Sequence, residues 1–247
     1  MKDHTNFFIF SFFIAIHYFC TFATVLHPLP CFHMPHGERI AEYLLSIGAV
    51  RLSVKQPFTW TSGMKAPIYC DNRMIYSHPA ARDFVVDALV SRVKNLHVPP
   101  DVIAGTAMAA IGWAALVADR LKLPFVYVRS KPKEHGAKKL IEGDLKPGKH
   151  VVVVEDLIST AKSSVATVEA LRTEGSAVVT DIVSIFTYEL LPAIEKSREM
   201  KVHMHPLSNV TTLLKVAEGQ DQITDEDAAS VIEFTKDPEK WAAKMGL

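Results

Sequence analysis

Along the chain, apolar positions recur in two ways: at helical spacing, and in short β-branched runs bounded by Gly and Pro. PHGERIAEYLLSIGAV, directly after Met34, puts Ile40, Tyr43, Leu44 and Ile47 on one face and predicts an amphipathic helix. Residues 50–73 alternate around Ser53 and Phe58 and are interrupted by Pro57, Gly63 and Pro67, which predicts short strands and turns. Residues 78–95 carry Phe84, Val85, Ala88 and Leu89 on a helical stripe, and Pro99 and Pro100 close it. A strand is expected at 102–105, then a small-residue turn and a helix within GTAMAAIGWAALVADRL, then a strand in PFVYVR.

Four valines in a row, Val151, Val152, Val153 and Val154, form the kind of run that is buried on both faces of a parallel sheet. The spacing then turns helical through Val165, Val168 and Leu171, with Gly175 as a stop. Residues 177–185 read as another strand and 189–201 as a helix. VHMHPLSNVTTLLKVAEG predicts a short strand, a turn at Pro206, a Ser208 N-cap and a helix through Val216. Thr224 precedes Asp225, Glu226 and Asp227, acidic residues suited to a first helical turn, and the C-terminal helices read as structural.

Strand, turn, helix and strand in repetition predict an α/β fold, a doubly wound and mainly parallel sheet with right-handed crossovers and helices on both faces. A small N-terminal hood occupies roughly 34–75 and the core roughly 76–247. Residues 1–33 differ in composition: FFIFSFFIAIHYFCTFATVL carries no formal charge over about 20 residues, the length that spans a bilayer. Read alone, it is a signal peptide or signal anchor with a meagre positive flank. The independent helix after Met34 favours a translation start at Met34, with 1–33 outside the mature fold.

Charge narrows the function classes. Lys plus Arg and Asp plus Glu are equal at 27 each, so no overall field attracts nucleic acid or lipid headgroups. Cys20, Cys31 and Cys70 form neither a CxxC pair nor an even disulfide framework, which fits a reducing compartment. His203 and His205 alternate on a strand, but no cysteine or carboxylate lies near them in sequence, so they read as ordinary polar strand residues.

The chemistry concentrates after the valines. Glu155 and Asp156 stand where strand ends meet ligands in open α/β sheets, and Ser159, Thr160, Ala161, Lys162, Ser163 and Ser164 open the following helix. Hydroxyls and unpaired N–H groups at a helix start suit a phosphate, and paired carboxylates suit a ribose diol or a hydrated Mg²⁺. The combination predicts a sugar phosphate as ligand. A Walker loop fits poorly, because no glycine stands between Gly148 and Gly175, and the plainer alternative is that Glu155 and Asp156 are ordinary polar residues at a strand end. Residues 130–143, with four lysines and one histidine, are too polar to bury and too long for a tight turn. They read as a lid over a polyanion or as a solvated basic loop.

These residues resemble a known family. VVVVEDLISTAKSS resembles the phosphoribosyl-pyrophosphate (PRPP) signature of type I phosphoribosyltransferases, and YVRSKPKEHGAKKLIEG is similar to the mobile catalytic loop of the orotate phosphoribosyltransferases. TSGMKAPIYCDNR resembles that family's base-binding stretch. The resemblance covers about 34–247. It implies transfer of a 5-phosphoribosyl group from PRPP to orotate in pyrimidine biosynthesis by a cytoplasmic homodimer, with Mg²⁺ carried by PRPP near Glu155 and Asp156. Carried over residue by residue, it implies catalytic roles for Lys133, His135 and Asp156. PRPP would be met by Arg129, Lys133, His135, Glu155, Asp156, Leu157, Ile158, Ser159, Thr160, Ala161, Lys162 and Ser163, and orotate by Ser159 and Lys65. The lid would be shared across subunits.

The chain departs from the family pattern at Ala161, Ala109 and Ala110, where many relatives carry glycine. It also lacks a lysine in the turn after Gly105 and an arginine near Phe186 or Thr187. Two other readings stand beside the implied one: a phosphoribosyltransferase for another base, chosen by residues 50–73 and 186–188, and a PRPP-sensing regulator that binds nucleic acid. The zero net charge and the lysine-rich lid argue against the regulator.

Overall fold

The structure is a computed structural model that describes residues 36–132 and 139–247. The expectations for residues 1–33, Lys133 and His135 lie outside the described residues.

Helix α1 (Gly37–Ser46) buries Ile40, Ala41 and Leu44, with Tyr43 and Ile47 packed beside them. The hood follows as β1 (Val50–Leu52), β2 (Phe58–Thr59), β3 (Lys65–Ala66) and β4 (Ile68–Cys70), with β1 antiparallel to β4 and β2 antiparallel to β3. A 3-10 helix (Asn72–Ser77) leads into α2 (Pro79–Lys94). The core then runs β5 (Val102–Thr106), α3 (Ile111–Leu121), β6 (Phe125–Val128), β7 (Ile141–Glu142), β8 (His150–Ile158), α4 (Lys162–Thr173), β9 (Val178–Thr187), α5 (Leu191–Met200) and β10 (His203–Asn209). Three helices close the chain, α6 (Val210–Gly219), α7 (Asp225–Lys236) and α8 (Pro238–Lys244). None of the described helices is long and apolar enough to cross a membrane.

The sheet order is β10-β9-β8-β5-β6-β7, parallel except for the last pair. The valine run explains why β8 is central. Val151 and Val153 pack with Val168 and Leu171 of α4 and Ala193 of α5, while Val152 and Val154 pack with Leu89 of α2 and Trp113 of α3. All four valines are fully buried, and each such side chain contributes about 1.5–3 kcal/mol relative to an exposed one. Alternate residues need cover on opposite faces, so helices must lie on both sides.

Three local expectations give way. Residues 141–142, expected within a structureless loop, form β7, which closes a hairpin on β6 through Tyr127 and Val128. The strand β10 continues through Pro206 and Ser208 where a turn and a cap were expected. It is an edge strand, where a residue without N–H is tolerated, and Pro206 pairs with Ser184. Asn209 is the cap instead, its Oδ1 accepting from Thr212 N at 2.7 Å, and Ser208 is buried with its hydroxyl donating to Gly37 O at 2.8 Å.

His205 does have a carboxylate partner, supplied from β9: its Nε2 lies 2.7 Å from Asp181 Oδ1. Among the described residues no group of three or more His, Cys, Asp or Glu side chains is placed to hold a metal. Cys70, the one cysteine among the described residues, is buried and free.

Candidate active site

From β5 the chain moves toward β6, and from β8 it moves the opposite way toward β9 and β10, although β5 and β8 are neighbours. Ligands of open α/β sheets bind at this reversal, in the crevice beyond the carboxyl ends of the two strands. Two turns flank it: residues 106–110 after β5 and residues 159–161 after β8.

Strand β8 carries the acidic pair further than the valine run alone predicts. Glu155, Leu157 and Ile158 stay in the ladder with β9, opposite Ser184, Phe186 and Thr187. Glu155 is almost wholly buried, and its carboxylate accepts hydrogen bonds from Ser164 Oγ at 2.9 Å and Ser163 Oγ at 3.4 Å, both in the first turn of α4. Burial, followed by the negative charge of Asp156, pushes Glu155 up to about 8. Burial also raises Asp156, opposed by hydrogen bonds that favour its charged form. Asp156 is the more open of the two, and its carbonyl accepts a 2.6 Å bond from the side chain of fully buried Asn72.

The turn after β8 is held from behind. Ile158 O accepts from Thr187 Oγ1 at 3.2 Å and Tyr188 N at 3.1 Å, and Thr160 O accepts from Lys196 Nζ at 3.1 Å. Ile158 has its side chain in the core, so only its backbone can meet a ligand. Ala161 takes the left-handed conformation, φ 58° and ψ 14°, which an L side chain resists. Glycine would take this conformation without that cost. No side chain caps α4, and Lys162 and Ser163 are exposed beside its first N–H groups. An uncapped helix start with hydroxyls alongside is suited to an anion.

Across the crevice, the 106–110 turn is built from small residues. A Cβ on Gly105 would sit 2.9 Å from Ala114 Cβ and 3.2 Å from Ala110 O, so glycine lets α3 pack on the end of β5. Ala110 has φ −90° and is fully buried, and Ala109 shows no positive φ, so neither needs glycine's freedom. The Ala107–Met108 peptide is cis, and the Met108 side chain is 81% exposed. Thr106 Oγ1, at the end of β5, is buried without a hydrogen-bond partner among the described residues.

The remaining expected contacts are placed as follows. Lys65 is exposed on the hood and donates to Thr59 Oγ1 at 2.8 Å. Arg129, at the base of the β6–β7 hairpin, donates to Glu142 at 3.4 Å and to Lys131 O at 3.2 Å. Phe186 and Tyr188, expected to help choose a base, are 0% and 2% exposed. They face the interior, where Tyr188 stacks on Trp60 at 4.8 Å. Sequence reasoning missed Asn72 and Tyr76 as parts of this arrangement, and named Ser164 in the hydroxyl-rich run without giving it a partner. That partner is Glu155, the carboxylate nine residues before it.

The phosphoribosyl transferase domain profile matches residues 71–208. Orotate phosphoribosyltransferase of Listeria monocytogenes serovar 1/2a is 47% identical over 204 residues, 83% of this chain and 97% of that protein. The enzyme of the same name from Coxiella burnetii is 41% identical over 208 residues, 84% of this chain and 99% of that one. The crystal structure of orotate phosphoribosyltransferase from Aeropyrum pernix superposes with a TM-score of 0.63 at 28% identity, covering 73% of this chain and 98% of that one. With profile, relatives and crevice in agreement, the chain belongs to the orotate phosphoribosyltransferase family of type I phosphoribosyltransferases.

Proposed function

We propose that the chain transfers the 5-phosphoribosyl group of PRPP to orotate, giving orotidine 5'-phosphate and pyrophosphate in pyrimidine nucleotide synthesis. The observation that carries this reading is the crevice between β5 and β8, where buried Glu155 and the more open Asp156 adjoin an uncapped, hydroxyl-rich helix start. The 5-phosphate is bound by the backbone N–H groups and hydroxyls of residues 159–163. The ribose diol is held by Glu155 and Asp156.

Breaking the bond to pyrophosphate leaves positive charge on the sugar. Asp156, the more open member of the acidic pair, lies beside it and stabilises that charge, while the crevice orients the base for attack. Arg129, Lys133 and His135 take the negative charge of the leaving diphosphate, and Ser159 and Lys65 orient orotate. The donor set fits Mg²⁺ of the kind that keeps its waters and uses one or two carboxylates plus substrate phosphates, because Asp156 is the open hard-oxygen donor at the crevice and Glu155 is engaged by serines. Held near Asp156 with the substrate, Mg²⁺ would supply positive charge toward the leaving diphosphate. Exclusion of water by the lid protects the activated sugar.

The enzyme acts in the cytoplasm as a homodimer whose lid serves the partner's site; the family supports the dimer and the shared lid, and the free, buried Cys70 fits a reducing compartment. Loss of orotate absorbance with PRPP and Mg²⁺, compared with adenine, uracil and hypoxanthine, tests the reaction; preference for another base overturns the assignment to orotate. Mixing K133A and D156N chains tests the shared lid. Verified heterodimers that exceed both parents support it, and activity at the parental average overturns it.

A further inference from the structure

Helix α3 begins without a side-chain cap of its own, since its N-cap residue is Ala110. The cap comes from elsewhere in the chain. Tyr76 Oη accepts a 3.1 Å hydrogen bond from Trp113 N, in the first turn of α3, and donates a 2.9 Å bond to Ala109 O in the 106–110 turn. One hydroxyl thus satisfies an orphan donor of the helix and fixes the carbonyl just before it.

Two features show that this contact is built. The Tyr76 ring stacks on Trp113 with centroids 4.5 Å apart and an interplanar angle of 19°. Gly112 leaves the space the hydroxyl occupies: a Cβ there would stand 2.7 Å from Tyr76 Oη. Burial pushes the phenol above its ordinary range.

Tyr76 belongs to the 3-10 helix Asn72–Ser77, and the opposite end of that helix grips the other side of the crevice. Asn72 Nδ2 donates to Asp156 O at 2.6 Å. A six-residue helix therefore holds the turn after β5 with one end and the acidic strand end of β8 with the other. With the 5-phosphate on residues 159–163 and the ribose at the end of β8, the 106–110 turn stands across the crevice on the side left for the diphosphate, and this link ties that side to the ribose side.

We propose that Tyr76 is a positioning residue for diphosphate binding, acting through the 106–110 turn in partnership with Asn72, and not through contact with the substrate. The inference rests on the reading of the crevice as a PRPP site. It does not depend on which base is used.

The test uses the full chain and Tyr76→Phe, which removes the hydroxyl and keeps the stacked ring. Calorimetry with pyrophosphate and Mg²⁺ should show binding weakened five- to twentyfold. The KM for PRPP should rise in parallel, with the KM for orotate within twofold of wild type. Gly112→Ala, which pushes on the same hydroxyl from the far side, should give the same split. Adding it to Tyr76→Phe should cause much less than the product of the two effects, because both act on one contact.

A purely structural role would lower the melting temperature and the active fraction and leave the constants of the surviving enzyme unchanged; that result overturns the proposal. So does an equal rise in both KM values. If the wild-type chain ignores orotate but binds pyrophosphate, and Tyr76→Phe loses that binding, the positioning role stands and the base assignment falls. A wild-type chain that binds no pyrophosphate overturns both.

Discussion

Ser164 Oγ donates a 2.9 Å hydrogen bond to Glu155 Oε2, and both residues are buried. The first turn of α4 is thereby fastened to the strand before it, and the acid in question is poorly solvated. Burial and the Asp156 charge hold Glu155 near 8, far above a glutamate in an unfolded chain.

The pH consequence has a definite sign. Between about 4.5 and about 8 the folded chain binds a proton at Glu155 that the unfolded chain releases, so this group's stabilisation is complete below that window and declines as pH rises through it. Glu155→Gln abolishes the decline. Urea midpoints from pH 5 to 9 should show the variant gaining on wild type as pH rises, and a constant difference would refute the assignment.

Ala161 offers a stabilising substitution. A non-glycine residue in the left-handed region costs about 1–2 kcal/mol, and glycine gives back about 0.5–1 kcal/mol as freedom of the unfolded chain. Ala161→Gly should therefore raise the unfolding free energy by about 0.5–1 kcal/mol. A lowered urea midpoint would mean that the Ala161 methyl, 2% exposed in the core, matters more than its backbone conformation.

Gly105→Ala should act in the opposite direction. The added Cβ meets Ala114 Cβ and the Ala110 carbonyl at 2.9 and 3.2 Å, and neither is a flexible chain end. Overpacking of this kind costs about 1–3 kcal/mol. The displacement falls on the 106–110 turn, so pyrophosphate affinity should drop along with the melting temperature. Wild-type values for both would show that α3 slides without cost.

Asp181 governs the acid limb. Burial raises this carboxyl, but hydrogen bonds from Thr180 and His205 outweigh burial and hold it below the ordinary range. A carboxylate held low contributes stability that is present above its unfolded pKa and lost as pH falls through the folded value. Asp181→Asn should destabilise the protein at neutral pH and make its unfolding less sensitive to acid below pH 4. Parallel curves for variant and wild type would exclude Asp181 from acid unfolding.

How much was readable in the sequence depended on how far away each partner lies. The valine run announces a strand covered on both faces because its own alternation demands two layers, and the helices that supply them follow at close range. The extension of β8 through Glu155 was not readable, since carboxylates ordinarily end a strand. What keeps them in the ladder is β9, which brings Ser184, Phe186 and Thr187 alongside. Asn72 and Tyr76 gave no local signal, because their partners stand 84 and 33 residues along the chain. Pro206 misled in the other direction: proline reads as a turn unless the strand is known to lie at an edge.

The aromatic contacts of the hood set an order of events during synthesis. Trp60 meets Phe234 edge-on at 5.7 Å and Phe234 meets Trp241 at 5.5 Å, so the hood closes against α7 and α8, about 170 residues downstream. At about 5–20 residues per second, a ribosome takes on the order of 10–30 s to cover that interval. Throughout it, Trp60 lacks Phe234. The edge of the indole that Phe234 meets therefore stays open until the last helices have left the exit tunnel, even once Tyr188 is available to stack on its face.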